Sequence, residues 1–227
     1  MTGSPTCRSV SRSSRPLDQY SPGDFWDSRY RAEDAVYGLA PNAFFQERLA
    51  QLAPGLILLP GDGEGRNGVH AAAEGWSVRT VDASAVGVSK AKSYALDRGV
   101  VLDAECGDVR TWEPGETFDV VALSYLHLLE EDRGRFHRRV CNWLRPGGTL
   151  ILEGFGPGQL AFESGGPKSL SMLFTEDMLA GDFADLAIEV LCTRQLVLNE
   201  GPHHQGLAEV TRMVARKPHG WQQLPAQ

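Results

Sequence analysis

An α/β fold, with a mostly parallel doubly wound sheet covered by helices on both faces and finished by an antiparallel hairpin, is predicted by three observations. Short apolar or β-branched runs alternate with helical segments from about residue 55 onward. The first run leads straight into a glycine loop, and two strand-like runs near the C-terminus have no helix between them. The first run is Leu56-Ile57-Leu58-Leu59-Pro60, and the loop is Gly61-Asp62-Gly63-Glu64-Gly65. Further strands are expected at 77–82, 100–105, 118–124 and 149–155, each short and flanked by polar or turn residues. The clearest helix is 130–144, where Phe136, Val140, Trp143 and Leu144 share one face while Glu130, Glu131, Asp132, Arg135 and Arg139 lie largely elsewhere. Arg145-Pro146-Gly147-Gly148 stops it with helix breakers. Residues 156–174, rich in Gly and Pro, read as a long surface loop in the position of a lid, and a short helix at 175–185 follows. The runs 187–198 and 207–217 are joined by the short stretch Asn199 to Gly206 and form the edge hairpin.

Composition bounds the partners. The 227 residues carry 42% hydrophobic side chains and a formal charge of −7, as expected of one globular domain. Lys and Arg are scattered rather than gathered in a stripe, a poor match for nucleic-acid phosphates. Cys7, Cys106, Cys141 and Cys192 are too dispersed for a zinc site or a disulfide framework, which points to a reducing cytoplasm and no metal. No apolar run approaches the ~20 residues that span a bilayer, and no secretory signal is visible. The expected organisation is a disordered tail over 1–20, Ser-rich with Arg8, Arg12 and Arg15, then a single domain over 21–218 and a tail over 219–227. Within the domain, 21–54 is a helical N-terminal segment, 55–155 the core, 156–185 the loop and helix, and 186–218 the hairpin. A monomer or homodimer is expected.

The glycine loop indicates a cofactor. Glycine after a strand lets the chain turn sharply and lets a ligand approach the backbone, and the next helix offers unpaired N–H groups. The dinucleotide fingerprint GxGxxG would need its third glycine at residue 66, where Arg66 stands, so the GxGxG spacing disfavours NAD or FAD. Asp82, ending the second strand before Ala83-Ser84, is placed to accept from two ribose hydroxyls; its other reading is a helix cap, which Ser84 also fits. Asp108, after the third strand, is placed to accept from an adenine amino group while the Val109 N–H donates to the ring; an isolated Asp there is otherwise a turn residue.

These residues, with Gly107-Asp108, Phe118-Asp119-Val120-Val121 and Leu144-Arg145-Pro146-Gly147-Gly148-Thr149-Leu150, resemble the class I S-adenosylmethionine-dependent methyltransferases. The resemblance covers about 56–155 and implies a Rossmann-like, seven-stranded sheet. A narrower likeness, to the tellurite-resistance and thiol methyltransferases, rests on Phe25-Trp26-Asp27-Ser28-Arg29-Tyr30, Val36 to Asn42, Gly63-Glu64-Gly65-Arg66-Asn67, Val81 to Gly87 and Glu200-Gly201-Pro202-His203-His204-Gln205-Gly206. It implies methylation of a small thiol-like or chalcogen acceptor. Such enzymes usually carry an acid two residues before the first glycine, which braces the loop and helps neutralise the cofactor's ammonium; here Leu59-Pro60 stand instead. Asp62 or Glu64 is the candidate for the compensating charge.

The candidate cofactor residues are Gly61, Asp62, Gly63, Glu64, Gly65, Asp82, Ala83, Asp108, Val109 and Ser124, joined by Arg29 and Tyr37 from the N-terminal segment. Arg29 is the expected partner of the cofactor carboxylate. His127, Tyr30 and His204 are the catalytic candidates, with Glu153 a further pocket acid. His127 has an equally simple reading as a histidine bonded to a nearby carbonyl, and Trp26 as a packing residue. His203 and His204 lack a third ligand for a metal. Methyl transfer from a sulfonium is an in-line displacement that rests on alignment, and a thiolate acceptor needs no dedicated base. The competing classes are a non-catalytic S-adenosylmethionine-binding protein and an NAD(P)-dependent oxidoreductase.

Overall fold

The computed structural model describes residues 22–32 and 35–220; the tail expected over 1–20, with Cys7, and the chain beyond 220 lie outside the described residues. The N-terminal helices are α1 (Pro22–Ala32) and α2 (Ala43–Leu49). The alternating core follows as β1 (Leu56–Pro60), α3 (Arg66–Ala73), β2 (Ser77–Asp82), α4 (Ala85–Asp97), β3 (Asp103–Cys106), β4 (Phe118–Ser124), α5 (Glu130–Trp143) and β5 (Leu144–Phe155). After α6 (Glu176–Asp182), the strands β6 (Ala187–Asn199) and β7 (Gln205–Arg216) complete one seven-stranded sheet in the order β3-β2-β1-β4-β5-β7-β6. The pairs β1–β2, β1–β4, β2–β3 and β4–β5 are parallel, and β7 runs antiparallel to both β5 and β6. Chain order reverses between β1 and β4, the place where such sheets open a crevice at the carboxyl ends of their strands.

The period of two along the strands explains the double layer. Leu58, Val121, Leu123, Leu150 and Leu152 enter one core with Phe136, Val140 and Trp143 of α5 and Leu179 of α6. Ile57, Leu59, Val120, Ala122 and Ile151 point the other way, into a core with Phe44, Phe45 and Leu49 of α2 and Ala71 of α3. Cutting such a side chain to Ala costs about 2–5 kcal/mol, so either layer is sensitive to one substitution.

Three predicted boundaries change. The third strand begins at Asp103 rather than 100, because Val100 N–H still bonds the Ala95 carbonyl at the end of α4 and Val101 is 88% exposed. Arg145 to Gly148 do not precede β5 but form a bulge inside it, with the register shifting between Phe118 and Val120 and Gly147 at φ +82°. The stretch 156–174 is not a free surface loop. It holds two short 3₁₀ turns, Pro157–Ala161 and Leu170–Met172, and is pinned by the buried Gln159, Ser164, Leu173 and Phe174. Gln159 Nε2 donates to Ser164 and to the Gly165 carbonyl, while its Oε1 accepts the Glu209 N–H of β7. On the outer side of the edge strand β6, the Thr193 N–H donates to the Glu176 carboxylate of α6 at 2.7 Å.

Candidate active site

The loop after β1 is built from three left-handed glycines, Gly61 (φ +70°), Gly63 (φ +57°) and Gly65 (φ +85°), a conformation a Cβ disfavours. Space is also absent: a Cβ on Gly63 would lie 2.3 Å from the Tyr30 hydroxyl, and one on Gly65 would lie 2.7 Å from the Ala91 Cβ. Asp82 ties this loop to the next one, its Oδ2 accepting from Gly63 N–H at 2.9 Å and its Oδ1 from Ser84 N–H at 2.8 Å. The cap of α4 is Ser84, whose hydroxyl accepts from Gly87 N–H, so Asp82 is not the helix cap. Burial raises the Asp82 carboxyl to about 6, against the pull of those two amides. Asp62 Oδ2 accepts from Gly68 N–H of α3, and burial raises this carboxyl to about 7.

Helix α1 closes over this half. Asp27 accepts from the Ser84 hydroxyl at 2.5 Å and from Val86 N–H at 3.1 Å, and the Tyr30 ring packs on Gly63 and Gly87. Burial lifts the Tyr30 phenol well above its ordinary range, so it stays protonated. Trp26 stacks on Tyr30 at 5.7 Å, and Arg29 donates to the Tyr37 hydroxyl at 3.0 Å. Glu64 is fully engaged, with Oε2 taking the Val36 N–H and Oε1 meeting Lys90 at 2.9 Å. Asp108 faces the same edge, yet Arg110 clasps its carboxylate and lowers its pKa.

The other half of the site lies beyond β4, β5 and the β6–β7 turn. Tyr125 stands at φ +54°, among the described residues the one non-glycine at positive φ, and its hydroxyl donates to Glu153 at 2.9 Å. Backbone strain of this kind gathers at functional sites. The His204 ring lies 4.4 Å from Tyr125, 4.5 Å from Tyr37 and 5.3 Å from Phe155. It is 5% exposed, its Nδ1 has no hydrogen bond and stands 3.8 Å from Glu200, and burial lowers its pKa. Behind it, Arg66 donates to the Tyr37 carbonyl and to Glu200 at 2.8 Å. Burial opposes ionisation of Glu200, but His204 and Arg66 together hold it at about 2. Gly201 (φ +89°) lets this turn touch the N-terminal segment, since a Cβ there would sit 2.3 Å from the Gly38 nitrogen.

Both halves open into one cavity of about 460 Å³, of a size that suits a cofactor with a small acceptor. All the candidate residues line it except Glu153 and the two glycines Gly63 and Gly65, which stand behind it and shape the loop. Two candidates change character. Phe155 N–H donates to His127 Nε2, so Nδ1 carries the ring proton and donates to the Met172 carbonyl at 2.7 Å. With burial lowering its pKa to about 4, His127 is a neutral bracket between β5 and the 156–174 stretch, not a base. Glu153 does not reach the cavity, because Asn42, Tyr125 and Arg212 occupy its carboxylate. Tyr125, Arg66, Asn42, Asn67 and Asp27 were missed as site residues. Asp27, Asn42, Arg66 and Asn67 fall inside the stretches that carry the narrower family likeness, but those stretches assign none of them a role, and Tyr125 lies in none of them.

Among the described residues, no cluster of three or more His, Cys, Asp or Glu side chains is placed to hold a metal, and no helix is long and apolar enough to cross a membrane. The order and direction of the seven strands are those of the class I S-adenosylmethionine-dependent methyltransferase fold. Residues 57–148 match the family model described as a methyltransferase domain. No curated protein matches the chain in sequence. A solved structure described as "Conversion of a Disulfide Bond into a Thioacetal Group during Echinomycin Biosynthesis" is similar with a TM-score of 0.73 and 19% identity over 88% of this chain and 93% of that one. TehB from Haemophilus influenzae is similar at TM-score 0.66 and 16% identity, over 86% of this chain and 67% of its own. The N-methyltransferase NodS from Bradyrhizobium japonicum, in complex with S-adenosyl-l-homocysteine, is similar at 0.65 and 15%, over 88% and 100%. The domain match is to methyltransferases, not to an NAD(P)-dependent oxidoreductase.

The residues fit S-adenosylmethionine. Asp62 presents a buried oxygen without a partner, Asp82 an acid at the end of β2, and Arg29 a cation at the cavity wall.

Proposed function

We propose that this enzyme transfers the methyl group to the sulfur of a small thiol, and that residues 21–218 act as one catalytic unit with 156–185 closing the acceptor side. The observation that carries this reading is the unlike chemistry of the two ends of the cavity. Its β1–β3 end is acidic and amide-rich, and its β4–β5–β7 end is aromatic around one neutral histidine. When bound, S-adenosylmethionine supplies a methyl group on a positively charged sulfur that departs as a neutral thioether. Asp82 accepts from the ribose hydroxyls, Asp108 and the Val109 N–H address the adenine, and Ala83 and Ser124 pack beside them. Arg29 meets the carboxylate, while Tyr30 and Tyr37 exclude water.

His204 takes the thiol proton as the sulfur–methyl bond forms, and Glu200 stabilises the resulting imidazolium before the proton passes to solvent. A chalcogen oxyanion is the less favoured acceptor, because Arg66 and Arg212, the cations behind this wall, are already paired with Glu200 and Glu153. The test is a screen of aromatic thiols, alkyl thiols, tellurite, selenite, phenols and amines, read as S-adenosylhomocysteine formed. Turnover of thiols above all others is expected. Turnover of tellurite or selenite alone would overturn the thiol reading, and tight cofactor binding without turnover of any acceptor would favour a binding protein.

A further inference from the structure

Asp62 carries a hydrogen-bonding atom that the protein leaves unmet. Its Oδ2 is held by Gly68 N–H at 3.0 Å, and its Oδ1 is buried with no partner. The residue lines the cavity. The groups facing it from the surrounding elements are Arg66 and the Asn67 and Gly68 amides of α3, Asp82 at the end of β2, and Tyr30 of α1. None of them relieves Oδ1. Arg66 is committed to Tyr37 and Glu200, Asp82 adds a like charge, and the Tyr30 phenol lies over Gly63. A buried carboxylate oxygen without a donor is costly, and it is the atom that a positively charged donor would satisfy best.

The usual location for such an acid is closed in this chain. Leu59, two residues before Gly61, is 2% exposed and packs in the core with Phe44, Phe45 and Ala71, so position 59 faces away from the loop. Glu64, the other acid of the loop, is saturated by Val36 and Lys90. We propose that Asp62 is the receptor for the cofactor's ammonium group, moved from the strand end into the glycine loop itself. This inference rests on the cofactor reading above. It implies that the ligand-free enzyme keeps the Asp62 carboxyl partly protonated near neutral pH, and that binding an ammonium drives the proton off.

The experiment compares two nucleosides by calorimetry on the full chain at pH 6, 7 and 8. S-adenosylhomocysteine has the amino-acid end; 5′-methylthioadenosine has the same nucleoside without it. For the wild type, affinity for S-adenosylhomocysteine should rise about 10-fold from pH 6 to 8, as Asp62 ionises, with a heat that depends on the buffer and reports proton release. Affinity for 5′-methylthioadenosine should stay within about 2-fold. Asp62→Asn should weaken S-adenosylhomocysteine roughly 10- to 100-fold, flatten its pH dependence, and leave 5′-methylthioadenosine nearly unchanged. Asp62→Ser, which also cannot ionise, should give the same contrast. Equal weakening of both ligands, or no change in either, would overturn the proposal and leave the cofactor reading intact. A wild type that binds neither nucleoside would overturn both.

Discussion

At the ends of β1 and β2, Asp62 and Asp82 are held by backbone amides and face the cavity. At the ends of β5 and β6, Glu153 and Glu200 are held by side chains, and neither reaches it. The first arrangement leaves carboxylate charge available to a ligand at the expense of stability. The second gives every buried charge a partner and turns an aromatic wall to the ligand. Binding a charged cofactor and excluding water from an acceptor are opposite electrostatic tasks, and the proposed function assigns them to opposite sides of the sheet's reversal point.

The largest effect that would test this contrast comes from Arg66→Met. It strands Glu200, whose side chain is 11% exposed, and should cost about 3–5 kcal/mol in urea unfolding at pH 7. Because pairing holds Glu200 near 2 against an ordinary 4.5, the stabilisation is complete above 4.5 and lost as pH falls toward 2. The variant's deficit should therefore narrow on acidification, and a deficit independent of pH would break the comparison. Next, His204→Gln should lower kcat by about 10²-fold or more while S-adenosylhomocysteine affinity holds. A matching loss of affinity would move His204 into the cofactor half.

Gly201→Ala drives a Cβ into the Gly38 backbone and should part the hairpin turn from the N-terminal segment. Methyl transfer should fall about 10²-fold, with a smaller loss of cofactor binding. The mildest effect is expected from His127→Gln, about 1–3 kcal/mol at neutral pH. His127 is held neutral with a pKa of about 4 against 6.5 in the open chain, so its support is present above 6.5 and declines as pH falls from 6.5 to 4. The variant should lose that acid slope, seen as slower rise of protease cleavage in 156–174 between these two pH values.

The positions of Gly61, Asp82 and Asp108 were readable because each follows a strand directly: Gly61 after β1, Asp82 at the end of β2, Asp108 after β3. Local pattern and chain order suffice for such residues. The acceptor half joins side chains far apart in the chain, Asn42 to Glu153 and Arg66 to Glu200, and no periodicity connects them. Tyr125 was hidden for another reason: nothing in Ser124-Tyr125-Leu126-His127 announces a left-handed tyrosine, whose N–H and hydroxyl both bond Glu153 once the chain is folded. His127 was noticed for its position, but its role depended on two backbone groups, Met172 and Phe155, visible only once the chain was folded.

The Glu176 carboxylate on the Thr193 amide has a consequence for crowding. A thirteen-residue border strand with Val197 75% exposed is a template on which another chain could extend the sheet and start a polymer. Glu176 occupies a central donor of that border, so an incoming strand must first evict a charged group before any ladder can grow. One side chain thereby keeps the enzyme's longest free edge from recruiting its own copies.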